Sequence, residues 1–78
     1  MDDFPQRLQR MRERKRISRG TLSELCGLSK SVISKYERGE RIPKLDSLII
    51  LADFFECSID YLCGETDFCG RYPKVYKR

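Results

Sequence analysis

The sequence predicts an all-α domain of five short helices, and three observations lead to this fold class. Apolar residues recur at spacings of three and four over most of residues 4–63, which is the period of an amphipathic helix. Residues that favour a helix start or a helix stop separate these stretches. The chain has 78 residues, of which 40% are hydrophobic, and this is enough for one small domain with an ordinary apolar core.

The first helix is predicted from Pro5 to about Lys15. Proline suits the first turn because its φ is already helical and its missing N–H is not needed there. One apolar stripe lies at i, i+4 and i+7 and consists of Phe4, Leu8 and Met11. Arg12 lies beside that stripe, so we expect it to pair with an acidic residue. The other arginines of this helix are expected to form a solvated face; they are Arg7, Arg10 and Arg14.

The second helix is predicted to lie close to the third. Ser18 can cap a helix from Arg19 to Cys26, because its hydroxyl can accept a hydrogen bond from the first turn. Leu22 and Cys26 form the inward face, and Gly27 ends the helix. Only three residues separate it from the next helix. Such a short link forces the two helices to cross at a steep angle, which is the helix–turn–helix arrangement.

The third helix is predicted to begin after its N-cap Ser29 and to end at Gly39, which can adopt a left-handed conformation. Its apolar face consists of Val32, Ile33 and Tyr36. The opposite side carries only small or cationic side chains and no carboxylate: Lys30, Ser31, Ser34 and Lys35. This side suits contact with a polyanion. A helix of about two and a half turns is not stable alone in water, so the rest of the chain must hold it.

The fourth helix is predicted to start near Asp46, where the helix dipole favours a carboxylate, after a loop over residues 40–44 that Pro43 defines. Its inward stripe is predicted to be Leu45, Leu48, Leu51, Ala52 and Phe55. Three further apolar residues lie outside that stripe: Ile49, Ile50 and Phe54. Ser58 is predicted to cap a short fifth helix that ends at Cys63, with Ile59 and Leu62 inward. Residues 65–78 show no helical period, and we expect a loosely ordered tail.

Positive and negative charges are separated along the chain, whose net charge is +4. Residues 1–44 carry twelve Lys or Arg against six Asp or Glu. Residues 45–65 carry five acids and no Lys or Arg, and residues 66–78 return to a net charge of +3. A merely solvated surface would intersperse the two signs. The separation therefore indicates a basic pole that faces a polyanion such as nucleic acid.

Four cysteines raise the alternatives of a metal site or a disulfide: Cys26, Cys57, Cys63 and Cys69. Structural zinc sites use paired ligands roughly two to four residues apart, whereas this sequence has no CxxC pair and no histidine. No secretory signal and no membrane-spanning run is evident, so we expect a cytoplasmic protein with no membrane contact, in which disulfides are unusual. We therefore predict no metal and no cofactor, and we interpret Cys26 and Cys57 as small core residues.

Residues 7–64 resemble the helix–turn–helix family of Cro and the phage repressors (the xenobiotic-response-element type). The resemblance rests on RLQRMRERKRIS and on LSELCGLSKSVISKYERGERIPKLDSLIILADFFECSIDYLCG, so it extends well beyond the turn. It implies a lambda-repressor-like, five-helix DNA-binding domain over residues 1–64. The second and third helices would form the DNA-binding unit, with the third in the major groove. The resemblance leaves residues 65–78 unexplained, and we expect them to be a C-terminal tail that contacts a second copy or another partner.

The resemblance also implies roles for individual residues. Base edges would be read from the third helix, by Lys30, Ser31, Ser34 and Lys35. Backbone phosphates would be bound at the start of the second helix and in the loop after the third, by Ser18, Arg19, Arg38, Arg41 and Lys44. Arg12 and Glu37 would form a structural ion pair, which supplies the partner that Arg12 needs. Because lysine donates mostly to guanine O6 and N7, we expect G·C pairs opposite Lys30 and Lys35; the alternative is that both lysines touch only phosphate.

Several positions depart from the family pattern. Arg19 stands where Gln is common, which adds a charge but removes an amide. Arg16 stands where the first helix often stops at Gly or Asn, so we expect either a left-handed residue or a longer helix. Ser23 replaces a usual Ala at the crossing of the second and third helices, and its hydroxyl needs a hydrogen-bond partner. Leu25 stands where a charged residue is common.

The predicted function is sequence-specific binding of double-stranded DNA by a transcription regulator, more often a repressor, acting as a homodimer on a palindrome. The candidates for the dimer contact are spare apolar residues: Ile50, Phe54, Cys63, Phe68 and Tyr72, with Tyr76. An alternative of another class is an antitoxin-like or bridging module that holds a protein partner. An enzyme has no support, because the sequence offers no histidine, no carboxylate pair on a shared face and no glycine-rich phosphate loop. No small-molecule site is evident.

Overall fold

Five helices make up the part of the chain that the structure, a computed structural model, describes. It covers residues 3–68, so Cys69, Tyr72 and Tyr76 lie outside it. The helices are α1 (Phe4–Arg14), α2 (Arg19–Cys26), α3 (Lys30–Glu37), α4 (Leu45–Phe55) and α5 (Ile59–Leu62). No strand occurs in the covered range, and the predicted all-α class with five helices is confirmed. None of these helices is long and apolar enough to cross a lipid bilayer.

Each helix contributes one fully buried aliphatic side chain to a common core. These five side chains are Leu8, Leu22, Ile33, Leu51 and Leu62. Complete burial of a side chain of this size contributes about 1.5–3 kcal/mol. Both α1 and α2 pack against α3, so the short third helix is supported from behind by its two predecessors. The rings of Phe4 and Tyr36 meet edge to face with centroids 5.5 Å apart and join α1 to α3.

Three serines cap the helices that the sequence assigned to them. The hydroxyl oxygens of Ser18, Ser29 and Ser58 each accept a hydrogen bond at 3.0 Å from the backbone N–H three residues later. Such a cap typically contributes about 1 kcal/mol. Gly27 ends α2 with a φ of 71°, and Gly39 follows α3 with a φ of 72°, as predicted. Local sequence therefore determines where α2, α3 and α5 begin.

Two non-glycine residues adopt the left-handed conformation at helix ends. Arg16 has a φ of 58° in the turn after α1, which is the first of the two alternatives expected for it. Glu56 has a φ of 56° and ends α4, an end that was not predicted. The left-handed region is unfavourable for a residue with a Cβ by roughly 1–2 kcal/mol. These two positions therefore store backbone strain.

Leu45 is exposed, so its predicted place in the inward stripe of α4 is wrong. Its exposed fraction is 64%, whereas Leu51, Ala52 and Phe55 are buried as predicted and Leu48 is partly buried. Leu45 is the first residue of α4, and a helical Cα–Cβ bond tilts toward the N-terminus of its helix. The side chain therefore leans over the preceding loop instead of the core.

Arg7 is buried, so the expectation that it lies on a solvated face with Arg10 and Arg14 is wrong. Its exposed fraction is 3%, and its guanidinium carbon lies 4.0 Å from the centroid of the Tyr61 ring. Nη1 donates to the carbonyl oxygens of Tyr61 at 3.1 Å and of Thr66 at 3.3 Å. Nη2 lies 3.5 Å from Oδ1 of the exposed Asp67. The cation–π contact and the carbonyl acceptors compensate the Arg7 guanidinium for its loss of hydration. The bond to Thr66 also attaches the residues after α5 to α1.

Candidate nucleic-acid interface

The first turns of α2 and α3 lie next to each other. A Cβ at Gly20 would lie 3.9 Å from Cδ of Lys30 and 3.8 Å from Oγ of Ser18. The start of α2 therefore adjoins the start of α3, and a Cβ at Gly20 would make only ordinary van der Waals contact with the lysine. The hydroxyl of Ser23 donates to the carbonyl of Gly20 at 2.7 Å, which is the partner that the sequence required. Two helix starts with cationic first residues thus form one edge of the domain.

The four residues predicted to read bases lie along α3. Lys30 and Ser31 are exposed at its start, whereas Ser34 and Lys35 are partly buried. Neither lysine forms an ion pair with a carboxylate of residues 3–68. This side of α3 therefore carries positive charge, and among the described acids Glu40 lies near enough to Lys35 for their charges to interact. The base contacts themselves stay a prediction.

A buried carboxylate links α1, α2 and α3. The side chain of Glu37, at the end of α3, is 1% exposed. Arg12 of α1 holds both of its oxygens, with Nε 2.6 Å from Oε2 and Nη2 3.0 Å from Oε1. Nη1 of Arg12 donates to the carbonyl of Ile17 at 2.9 Å, in the turn before α2. The hydrogen bond to Glu37 raises the pKa of Arg12 above its ordinary value, against the opposing effect of burial.

Two predicted phosphate-binding residues at the start of α2 have partners within the protein. Ser18 accepts from the N–H of Thr21 at 3.0 Å and bonds the Thr21 hydroxyl at 3.1 Å. Arg19 donates from Nε to Oε1 of Glu37 at 2.9 Å, and its side chain is 42% exposed. Its two terminal nitrogens donate to no residue of the described range. Arg19 is therefore fixed at Nε and open at the other end of its guanidinium.

The loop after α3 carries the other three cations predicted to bind phosphate. Arg38 pairs with Glu40, with Nε 3.0 Å from Oε2 and Nη2 3.1 Å from Oε1, and both side chains are about half exposed. The hydrogen bond from Arg38 holds the pKa of Glu40 below its ordinary value. Arg41 and Lys44 are exposed, and neither pairs with an acid in the part of the chain that the structure covers. In this loop Glu40 therefore neutralises Arg38, whereas Arg41 and Lys44 keep their positive charge without an acidic partner in the described range.

Sequence reasoning missed three features of this surface. Glu40 neutralises Arg38, a contact that its position two residues further along the chain could have suggested. Arg19 joins the buried pair, a contact across 18 residues that depends on how α2 packs against α3. Ile42, which is 91% exposed between the loop cations, was not considered. No sequence signal distinguishes such an exposed isoleucine from a buried one.

The predicted dimer residues differ in how much surface they offer. Phe68 is 57% exposed and Ile50 is 38% exposed, whereas Phe54 and Cys63 are partly buried. The Phe54 ring packs against Phe55 with centroids 5.0 Å apart. Burial, with Glu65 and Asp60 nearby, raises the pKa of the Cys63 thiol. Tyr72 lies outside the described residues, and the dimer contact stays a prediction.

The described residues hold no cluster of three His, Cys, Asp or Glu side chains that could bind a metal ion. A shallow cleft of about 230 Å³ is lined by residues of α1, α4 and α5 and of the turn between the last two: Met11, Arg14, Phe55, Glu56, Cys57 and Tyr61. It shares no residue with the edge formed by α2 and α3. The charged edge is therefore the candidate site.

This geometry defines the class of helix-turn-helix domains. The model of the helix-turn-helix family HTH_3 matches residues 8–62, and the chain belongs to that family. The resemblance to phage repressors is confirmed by similarity to the transcriptional repressor RstR of the cryptic phage CTXphi of Vibrio cholerae, at 36% identity over 59 residues. That match covers 76% of this chain and 53% of RstR.

Two regulators of Bacillus subtilis (strain 168) are also similar. YobD, an uncharacterized HTH-type transcriptional regulator, is 39% identical over 75 residues, or 96% of this chain and 65% of YobD. AnsR, an HTH-type transcriptional regulator, is 40% identical over 58 residues, or 74% of this chain and 50% of AnsR. The chain thus spans between half and two thirds of the length of these relatives.

Two solved structures have the same fold. The P22 c2 repressor in complex with synthetic operator 9T superposes with a TM-score of 0.78 at 29% identity, covering 85% of this chain and 100% of the repressor chain. The restriction-modification controller protein C.AhdI from Aeromonas hydrophila superposes with a TM-score of 0.71 at 36% identity, covering 76% of this chain and 89% of the controller.

Proposed function

We propose that this protein binds double-stranded DNA sequence-specifically and represses transcription in the cytoplasm. The observation that carries the proposal is that the start of α2 at Gly20 adjoins Lys30 at the start of α3, and that no described acid forms an ion pair with Lys30. The P22 c2 repressor, which has this fold, is known in complex with a synthetic operator. A cationic helix of about 12 Å diameter fits the major groove of B-DNA.

In this proposal α3 supplies sequence preference. Lys30 and Ser31 stand at its exposed start, which is the part of a recognition helix that meets base edges. Ser34 and Lys35 lie one turn further along α3 and are partly buried, so they offer less surface for base contacts than Lys30 and Ser31. Lysine donors select the O6 and N7 acceptors of guanine. We expect G·C pairs at two positions of each half-site.

The flanking cations supply affinity and register. Arg19 and Ser18 at the start of α2 and Arg41 and Lys44 after α3 would contact phosphates on the two sides of the groove. Arg38 would contribute less, because Glu40 neutralises it. With the two lysines of α3, roughly five cations per monomer would face DNA. Each contact releases counterions, so log K should fall with log salt at a slope of roughly −4 to −5 per monomer.

The proposal includes a homodimer on a palindromic operator. A single recognition helix reads only a few base pairs, too few for selectivity within a genome. Ile50 and Phe68 offer exposed apolar surface for the contact, to which Phe54, Cys63 and Tyr72 would add. Ile42 and Leu45, exposed beside the loop cations, are further candidates that the structure provides. Half-site centres would lie about 34 Å apart, one helical turn.

Selection from a randomised duplex library with the purified protein tests the function. At about 150 mM salt, we expect a symmetric motif with a half-site spacing of about one helical turn. The reversed-charge variant Lys30→Glu serves as the control and should enrich no motif. Binding of the wild-type protein to all duplexes alike would overturn the proposal. It would favour the alternative of an antitoxin-like or bridging module that uses the same surface to hold a protein.

A further inference from the structure

We propose that Glu37 is a positioning residue for the phosphate contact of Arg19. The Glu37 carboxylate is buried and would not touch DNA. Glu37 accepts a hydrogen bond from Nε of Arg19. The two terminal nitrogens of Arg19 are then held in position to donate to one phosphate. This inference rests on the proposed DNA-binding function and goes beyond it, because it gives a buried acid at the end of α3 a part in DNA affinity.

The carboxylate does not need Arg19 for its own stability. Arg12 already bonds both oxygens of Glu37, at 2.6 Å and 3.0 Å, in the forked geometry that arginine and carboxylate prefer. Arg19 adds a third hydrogen bond at 2.9 Å to Oε1, which Arg12 also occupies. Its contribution to folding is therefore small compared with that of Arg12. The main effect of the contact is therefore to hold the Arg19 side chain in place, because Glu37 already has its hydrogen bonds from Arg12.

The charges of this cluster point to an external anion. Two guanidiniums share one carboxylate, so Arg12, Arg19 and Glu37 together carry a net charge of +1. Arg12 and Glu37 are buried, whereas the Arg19 side chain is 42% exposed. The excess charge therefore lies where solvent, or a phosphate, can reach it. The terminal nitrogens of Arg19 have no acceptor among residues 3–68, which leaves both available for a bidentate contact.

Anchoring improves affinity because a free arginine must lose rotamer freedom when it binds phosphate. Glu37 restricts the side chain before DNA arrives. Lysine at position 19 would keep the charge but has only one nitrogen, which cannot hold Glu37 and also present a planar fork. Arg19→Lys therefore removes the anchored guanidinium but keeps the positive charge. The variant thus separates the effect of anchoring on DNA affinity from the effect of charge.

A double-mutant cycle tests the inference. We would measure the Kd for the selected operator by fluorescence anisotropy, with Arg19→Lys introduced into the wild-type protein and into Glu37→Gln. We expect Arg19→Lys to weaken binding about tenfold in the wild-type protein and about threefold or less in Glu37→Gln. The salt slope should not change, because the charge is kept. Effects of Glu37→Gln on folding or on net charge act on both arms and cancel in the cycle.

Arg41→Lys is the matched control, since Arg41 has no acidic partner within the described range. It should weaken binding by the same factor in both backgrounds. An equal penalty for Arg19→Lys in both backgrounds would overturn the inference. A larger penalty in Glu37→Gln would also overturn it, because Glu37 would then compete with phosphate. If the wild-type protein showed no selective DNA binding, the proposed function and the inference would both fail.

A second measurement needs no change at Glu37, in case Glu37→Gln does not fold. In the 15N-correlated spectrum of the wild-type protein, the Nε–H signal of Arg19 can be assigned by its loss in Arg19→Lys. We expect a resolved signal, protected from solvent exchange, that persists when operator is added. An unprotected Nε–H in the free protein, or loss of protection upon DNA binding, would contradict the positioning role.

Discussion

Replacement of Arg7 by alanine tests whether this buried cation stabilises the fold. The change removes hydrogen bonds to two backbone carbonyls, of Tyr61 and Thr66, and a guanidinium 4.0 Å from the Tyr61 ring. Hydrogen bonds from a charged group contribute about 1.5 kcal/mol or more, and a desolvated cation–π contact contributes about 1–2 kcal/mol. Together these contacts sum to about 4–5 kcal/mol. The cost of burying the guanidinium in the wild-type protein offsets part of this sum, so we expect a net loss of about 3 kcal/mol in the free energy of unfolding. The ion pair with Asp67 adds little, because the Asp67 side chain is 81% exposed.

Thermal unfolding followed by circular dichroism measures this effect. For a domain of this size, about 3 kcal/mol lowers Tm by about 12–24 °C. Arg14→Ala is the matched control, because Arg14 is an exposed arginine of the same helix. It should change stability by less than about 0.5 kcal/mol. Equal Tm values for Arg7→Ala and Arg14→Ala would refute the reasoning that burial and the contacts with Tyr61 make Arg7 structural.

Most substitutions weaken a protein, but three further substitutions should strengthen this one. The first should raise its DNA affinity, and the other two should raise its stability. Glu40→Gln releases Arg38 from its ion pair, so we expect DNA affinity to rise several-fold and the salt slope to steepen by up to about 0.9 in anisotropy titrations. Glu56→Gly relieves a φ of 56° at the end of α4 and should stabilise the domain by about 1 kcal/mol in urea unfolding. Gly20→Ala should also stabilise it by about 1 kcal/mol, because a Cβ there meets only ordinary contacts at 3.8 and 3.9 Å. Unchanged affinity for the first, or lower stability for either glycine change, would contradict these structural explanations.

The helix boundaries could be predicted because they depend on neighbouring residues. Ser18, Ser29 and Ser58 each form the cap that their position before an apolar period indicated. The left-handed Arg16 was among the alternatives that the family resemblance implied, because the first helix of relatives often stops there at Gly or Asn. Helix caps and helix stops form between residues that are close in the sequence, so they can be predicted from it. They account for the number of helices and for the turn between α2 and α3.

Contacts between distant residues were predicted less well. Pattern alone placed Arg7 on the solvated face, because nothing in the sequence shows that Tyr61 lies over that part of α1. Arg12 was expected to need an acid, and the resemblance named Glu37, but the third member Arg19 depends on the crossing of α2 and α3. Leu45 was misplaced because periodicity does not show that it is the first residue of α4, from which the side chain leans over the preceding loop.

Base reading by α3 is tested most directly by library selection with the wild-type protein and with Lys30→Ala in parallel. If Lys30 contacts a base edge, the wild-type motif should contain a G·C pair in each half-site that becomes any base pair in the variant, while the other positions stay unchanged. The affinity for that site should fall by about 1–3 kcal/mol. An identical motif from both proteins, with only weaker binding by the variant, would show that Lys30 contacts phosphate and would contradict base reading by this residue.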